Sequence, residues 1–374
     1  MYTAPVRPQI QALDPYTPGL SIDEIRQKYG LTTVYKLASN ENPLGASALV
    51  QAALQRASCT VFRYPRSGNL KLRQALSEKH SIDAEHIIVG NGSDEIIDLL
   101  LRIVATPGQD NVVCFQPCFN LYTIQAQING IAQKRLPLNS DFTFDLEGLK
   151  NLVDENTCLV FITSPDNPSG YAPKAQELLR LAESLTKYPR CLLLIDEAYM
   201  DFSGQEETYS LLAQNNLPDN VAIMRTFSKS YGLAGLRLGY AIVPKTLAEA
   251  FWRARLPFSV NILAEEAGLA ALSDHTFHTL TLETVARERQ RMQQTLTTLG
   301  CQVWPSLANF LLFQLPKPYK AQDCFLYLLQ HGVIIRLLKS YALPDHLRVS
   351  VGNKEETTVF LQLLQTYLQG NTHA

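Results

Sequence analysis

No run of apolar residues in this chain of 374 approaches the ~18 needed to span a membrane as a helix, so no anchor of that kind is expected. Neither sign of charge dominates: 33 Lys and Arg stand against 35 Asp and Glu. The net charge of -2 offers no electrostatic footprint for nucleic acid or an anionic lipid surface, and a small-molecule partner becomes the default. The seven cysteines (Cys59, Cys114, Cys118, Cys158, Cys191, Cys301 and Cys324) are odd in number and form no C-x-x-C pair. They read as mostly buried, reduced thiols of a cytoplasmic protein. The first thirty residues hold no basic block followed by an apolar one, so no signal peptide is expected. Among the histidines there is no H-E-x-x-H, and His275 with His278 reads as one helix face, so no metal is expected. Gly232, Gly235 and Gly239 do not fit G-x-G-x-x-G, and no Walker-type G-x-x-x-x-G-K-[ST] occurs.

What is present is 46% hydrophobic residues, enough for a sizeable core, in a chain longer than one core usually supports. Between about residues 85 and 245, short apolar runs alternate with amphipathic stretches, which predicts an α/β fold with a mostly parallel central sheet flanked by helices. Predicted strands are 87–89, 111–115, 158–163, 191–195, 221–224 and 238–243, with helices over 94–104 and 174–188. Beyond Pro257 one long helical stretch, 264–299, leads to strands at 309–315, 333–337 and 347–351 and a helix over 354–368. We therefore expect a large cofactor-binding domain over 41–254, a smaller α+β domain over 255–374, and an N-terminal segment, 1–40, joining the smaller one.

Polar and glycine-rich segments follow the strand ends, where open α/β sheets place ligands. Gly90-Asn91-Gly92-Ser93-Asp94 precedes a helix, whose first N–H groups and dipole suit a phosphate; a plain cap by Ser93 is the alternative. Thr226-Phe227-Ser228-Lys229 brings a lysine to a strand end, where desolvation or a nearby cation frees an amine for Schiff-base chemistry. A solvated loop lysine is the alternative. Arg237 adds a fixed cation. Asp196 ends the apolar run Leu192-Leu193-Leu194-Ile195 and needs a partner such as a protonated pyridine nitrogen, unless it caps the next turn. Asn167 lies in the turn-rich loop Ser164-Pro165-Asp166-Asn167-Pro168-Ser169-Gly170.

Taken in chain order, the phosphate loop, Asn167, Asp196 with Tyr199, Ser228-Lys229 and Arg237, all at strand ends, resemble the fold-type I pyridoxal-phosphate aminotransferases. The resemblance implies that pyridoxal 5′-phosphate is the cofactor, that Lys229 carries it as a Schiff base and shuttles the proton, and that Asp196 keeps its ring nitrogen protonated. Asn167 and Tyr199 match the residues bonding the ring oxygen. Gly92, Ser93, Asp94, Ser228 and Arg237 match the phosphate site, and Phe119 the ring-stacking position. Many members have Tyr at that position and a small hydroxyl residue where Cys118 stands, so only stacking carries over.

More narrowly, Pro15-Tyr16-Thr17-Pro18-Gly19, Lys36-Leu37-Ala38-Ser39-Asn40-Glu41-Asn42-Pro43-Leu44-Gly45, Arg63-Tyr64-Pro65 and Leu347-Arg348-Val349-Ser350-Val351-Gly352 are similar to the histidinol-phosphate aminotransferase family. The similarity covers essentially the whole chain. It implies amino transfer between glutamate and 2-oxoglutarate on one side and histidinol phosphate and its keto form on the other. Arg348 would take the substrate anion and Arg336 the substrate phosphate, with Tyr16 and Asn42 also binding substrate. Tyr64 would reach the cofactor phosphate of the neighbouring subunit, making a homodimer with shared sites. Arg336 could instead be structural. An aromatic or broad-range aminotransferase and a threonine-phosphate decarboxylase are the alternatives on this scaffold.

Overall fold

The apolar runs become strands of one seven-stranded sheet in the computed structural model, which describes residues 5–13, 20–214 and 217–370. Tyr16 lies outside the described residues. Strand β1 (Tyr35–Lys36) stands apart; β2 (Ile87–Asn91), β3 (Asn111–Gln116), β4 (Ala132–Pro137), β5 (Thr157–Thr163), β6 (Leu192–Asp196), β7 (Val221–Thr226) and β8 (Leu238–Ile242) form the large sheet. Their order is β2-β8-β7-β6-β5-β3-β4, and β8 runs antiparallel to both its neighbours. Every residue of β5, β6 and β7 is buried, as continuous apolar runs of a sheet covered on both faces require. The edge strand β4, Ala-Gln-Lys-Arg-Leu-Pro, has no apolar run and was not expected.

The register decides where the chemistry sits. Thr163 lies beside Asp196, Asp196 beside Met224, and Thr226 beside Gly239, so the ends of β5, β6 and β7 and the start of β8 form one edge. At that edge the helix Ser93–Val104 begins, its Ile96, Ile97, Leu99, Leu100 and Leu101 buried against the sheet.

A second sheet, β12-β13-β10-β9, joins β9 (Gln302–Val303), β10 (Phe310–Gln314), β12 (Arg336–Leu337) and β13 (His346–Ser350) in antiparallel pairs. The single strand expected over 333–337 is split: β11 (Val333–Ile334) leaves this sheet to pair in parallel with β1. The long helix expected over 264–299 is also two, Ile262–Ser273 and His275–Thr298. Asp274 separates them because its carboxylate accepts from Phe277 N–H at 3.1 Å and caps the second helix. Ala264, Ala267 and Ala271 of the first helix share a core with Val50, Leu72 and Leu76, on the large-sheet side.

Six cysteines are buried, Cys59 is exposed, and all are free thiols. No helix among the described residues is long and apolar enough to cross a membrane.

Candidate active site

A cavity of about 240 Å³ opens at this sheet edge, lined by Ser93, Asp94, Phe119, Asn167, Asp196, Tyr199, Ser228, Lys229 and Arg237 among others. Nine expected site residues, spread over 145 positions of sequence, therefore share one wall.

The phosphate end is built on close backbone approach. Gly92, not Ser93, occupies the cap position, with φ 79 and no side-chain cap, so Ser93 is the first helical residue and faces the cavity. A Cβ on Gly92 would lie 2.6 Å from Arg237 Nη2, and one on Gly239 would lie 2.5 Å from Ser93 N. Glycine at both positions lets the helix start settle against β8 with Arg237 beside it. Arg237 Nη2 donates to Asp94 Oδ2 at 2.9 Å. First-turn N–H groups of a helix have no intrahelical partner, and with the Ser93 and Ser228 hydroxyls and Arg237 they offer donors for an anion.

Lys229 follows β7 in a loop and its Nζ donates to Ser39 O at 3.1 Å. Burial lowers its pKa to about 8, helped by the positive charges of Arg348 and Arg237. Asp196 is buried at the cavity wall: Tyr122 Oη donates to Oδ2 at 2.7 Å and Ala198 N–H to Oδ1 at 3.1 Å. Burial pushes its carboxyl up to about 6 despite these bonds. Glu197 points the other way, as alternation along a strand demands, and meets Arg225 Nη2 at 2.7 Å and the Ser210 hydroxyl at 2.7 Å. That buried pair anchors the ends of β6 and β7 to each other. Tyr199 Oη accepts from Asn40 Nδ2 at 3.2 Å, and burial raises its pKa to about 12.

Arg348 does not line the cavity itself but reaches a residue that does: its Nη1 donates to Asn167 Oδ1, and its Nη2 to Ala38 O at 2.9 Å. Its Nε is buried and makes no hydrogen bond. Arg336 is the direct cross-strand partner of Arg348, so both side chains leave the same face of the sheet.

Arg336 does not line the cavity either, and two further expected residues lie elsewhere. Asn42 does not line the cavity: its Nδ2 donates to Ser230 O at 2.8 Å and to Thr281 Oγ1 at 3.3 Å, which commits the amide to tying down the lysine loop. Tyr64 is 82% exposed and stacks on Phe258 at 4.7 Å, away from its own cavity. The contributors missed include Tyr122, Asn40, Arg225 and the cavity-lining Glu41. Tyr122 had a signal, an aromatic residue one helical turn after Phe119.

The sequence model of the family described as aminotransferase class I and II matches residues 32–364. The chain belongs to the class I and II aminotransferases. It is 53% identical over 363 residues to the histidinol-phosphate aminotransferase of Nitratidesulfovibrio vulgaris strain Hildenborough, covering 97% of this chain and 96% of that one. It is 48% identical over 367 residues to the histidinol-phosphate aminotransferase of Oleidesulfovibrio alaskensis, with 98% and 95% covered. A solved structure of the Sinorhizobium meliloti histidinol-phosphate aminotransferase, in complex with pyridoxal 5′-phosphate, superposes with a TM-score of 0.88 at 26% identity over 99% of each chain. The aminotransferase fold, a mostly parallel central sheet flanked by helices, is thus that of the fold-type I pyridoxal-phosphate enzymes.

Proposed function

We propose that this aminotransferase moves the amino group between glutamate and 3-(imidazol-4-yl)-2-oxopropyl phosphate, giving histidinol phosphate and 2-oxoglutarate reversibly, in histidine biosynthesis. The observation that carries this reading is the buried guanidinium of Arg348, bonded to the cavity residue Asn167, with Arg336 on the same face of its sheet. A phosphate monoester carries close to two negative charges near neutral pH, and two arginines match it better than one. Near-full-length similarity to histidinol-phosphate aminotransferases supports the same conclusion.

The cofactor is pyridoxal 5′-phosphate, which when bound supplies a ring that spreads the negative charge formed at the substrate α-carbon. The cavity fits it: anion donors at one end, a lysine of lowered pKa, and a buried carboxylate. Ser93, Ser228, Arg237 and the N–H groups after Gly92 would hold the phosphate. Phe119 would cover the ring face, and Asn167 and Tyr199 would hold the ring oxygen. Asp196, as the carboxylate, holds a proton on the ring nitrogen. Lys229 Nζ, with its lowered pKa, would be the base that takes the proton from the substrate α-carbon. Arg348 holds the glutamate carboxylate in one half-reaction and the phosphate in the other, and Arg336 serves the phosphate.

The exposed Tyr64, with Val61, Phe62, Leu256 and Phe258, makes an apolar patch that suits a second copy of the chain. In that homodimer Tyr64 would serve the partner's cofactor phosphate. The large cofactor-binding unit would extend beyond residue 254 to about 273, since the helix Ile262–Ser273 packs with it. Such an enzyme would work in the cytoplasm.

Single-turnover rates with histidinol phosphate, tyrosine, phenylalanine and threonine phosphate test the reading. Histidinol phosphate should react fastest. Equal rates with the aromatic amino acids would make this a broad-range enzyme, and carbon dioxide released from threonine phosphate would make it a decarboxylase.

A further inference from the structure

Three carboxylates line the cavity, and two of them belong to the part that would hold the cofactor. Asp94 is paired with Arg237, and Asp196 accepts from Tyr122 and the Ala198 N–H. The third, Glu41, is held at one oxygen: its Oε1 accepts from Lys36 Nζ at 2.9 Å, and the side chain remains 43% exposed. It is close enough to Lys229 for its charge to raise that amine's pKa, against burial and the arginines. Glu41 follows Asn40, whose φ of 56 turns the chain, and precedes Asn42, whose amide is spent on Ser230 and Thr281.

Histidinol phosphate has two arms on the carbon bearing its amine. One ends in phosphate and belongs with Arg348 and Arg336. The other ends in an imidazole, whose ring N–H needs an acceptor, and Glu41 is the lining carboxylate outside the cofactor's part of the cavity. We propose that Glu41 selects the substrate by accepting a hydrogen bond from the imidazole N–H; this rests on the histidinol-phosphate reading above. A free imidazole titrates near ~6.5, and a carboxylate beside it favours the charged ring. Glutamate brings a carboxylate on its second arm, which Glu41 repels. Lys36, already on Glu41, supplies the counter-charge that lets glutamate enter.

The test compares holoenzyme half-reactions of the parent and Glu41→Gln with histidinol phosphate, phenylalaninol phosphate and glutamate. Phenylalaninol phosphate keeps the amine, the phosphate and an aromatic ring but has no ring N–H. The parent should prefer histidinol phosphate to phenylalaninol phosphate. In Glu41→Gln that preference should fall roughly tenfold to a hundredfold, mainly in the concentration needed for saturation. The pH dependence of histidinol-phosphate saturation around the imidazole pKa should flatten as well. Glu41→Asp, with the charge kept and the reach shortened, should lose only part of the preference; it also serves should Glu41→Gln fold poorly. An unchanged preference, or equal losses with all three substrates, overturns the role of Glu41. A parent enzyme with no preference for histidinol phosphate overturns instead the function on which this role rests.

Discussion

Replacing Tyr122 with Phe removes one hydroxyl and keeps the ring that stacks on Phe161 at 4.6 Å and 9°. That hydroxyl donates to Asp196 Oδ2 at 2.7 Å and lies 2.8 Å from Thr163 Oγ1. Burial has already lifted Asp196 from 3.8 to about 6, and the bonds from Tyr122 and Ala198 keep it from rising further. A hydrogen bond to a charged group contributes about 1.5–3 kcal/mol, and about 1.4 kcal/mol moves a pKa by one pH unit. Asp196 in the variant should therefore titrate on the order of one to two pH units higher, around neutrality. At pH 7 most of the parent's Asp196 is ionised, while much of the variant's is protonated and unable to hold a proton on the ring nitrogen. Equilibrium titration of apoprotein with pyridoxal 5′-phosphate across pH measures this directly, and comparing the two proteins cancels the ionisations of the cofactor. The acid-side loss of affinity should move up in Tyr122→Phe. Superimposable curves would refute the claim that Tyr122 tunes Asp196, and a loss equal at every pH would make the hydroxyl a packing feature.

Asp196→Asn should stabilise the apoprotein at pH 8 while abolishing most transamination. The raised carboxyl contributes stability that is full below pH 4 and lost as pH rises through about 6, and the step from 3.8 corresponds to about 3 kcal/mol. Melting midpoints of the two apoproteins should therefore diverge towards pH 8 and converge towards pH 4; a variant less stable at pH 8 contradicts this. Arg336→Ala should slow the histidinol-phosphate half-reaction roughly tenfold to a hundredfold and spare the glutamate half, whereas Arg348→Ala should damage both. Equal losses for Arg336→Ala in single-turnover assays would make that arginine structural. Mixing inactive Lys229→Ala protein with Tyr64→Ala protein under subunit exchange should restore activity, because one hybrid site carries neither lesion. Exchange verified by mass with no activity regained would remove Tyr64 from the partner's site.

Strand ends could be read from the chain because they are local. The apolar run before Asp196, the strand before Lys229 and the glycines before Ser93 each announce a position within a few residues, and each of those side chains reaches the cavity. Turn chemistry at Asp274 was local too, yet helix-forming sequence on both sides hid the break. Strand β4 carried no apolar run, so periodicity had nothing to detect.

Partners were another matter, since a hydrogen bond across the fold leaves no mark on spacing. Tyr122 meets Asp196 from 74 residues away, Asn40 meets Tyr199 from 159, and Arg348 meets Asn167 from 181. The pKa values of Lys229 and Asp196 come mainly from burial that only the closed fold supplies. The segment Asn40-Glu41-Asn42 shows the division most clearly. The family resemblance assigned Asn42 to substrate, but which side chain enters the cavity depends on the left-handed turn at Asn40 and on Ser230 and Thr281 capturing Asn42. Composition and local period determine which elements form and what their ends offer; side-chain direction is decided by backbone angles and distant partners that exist only once the chain has packed.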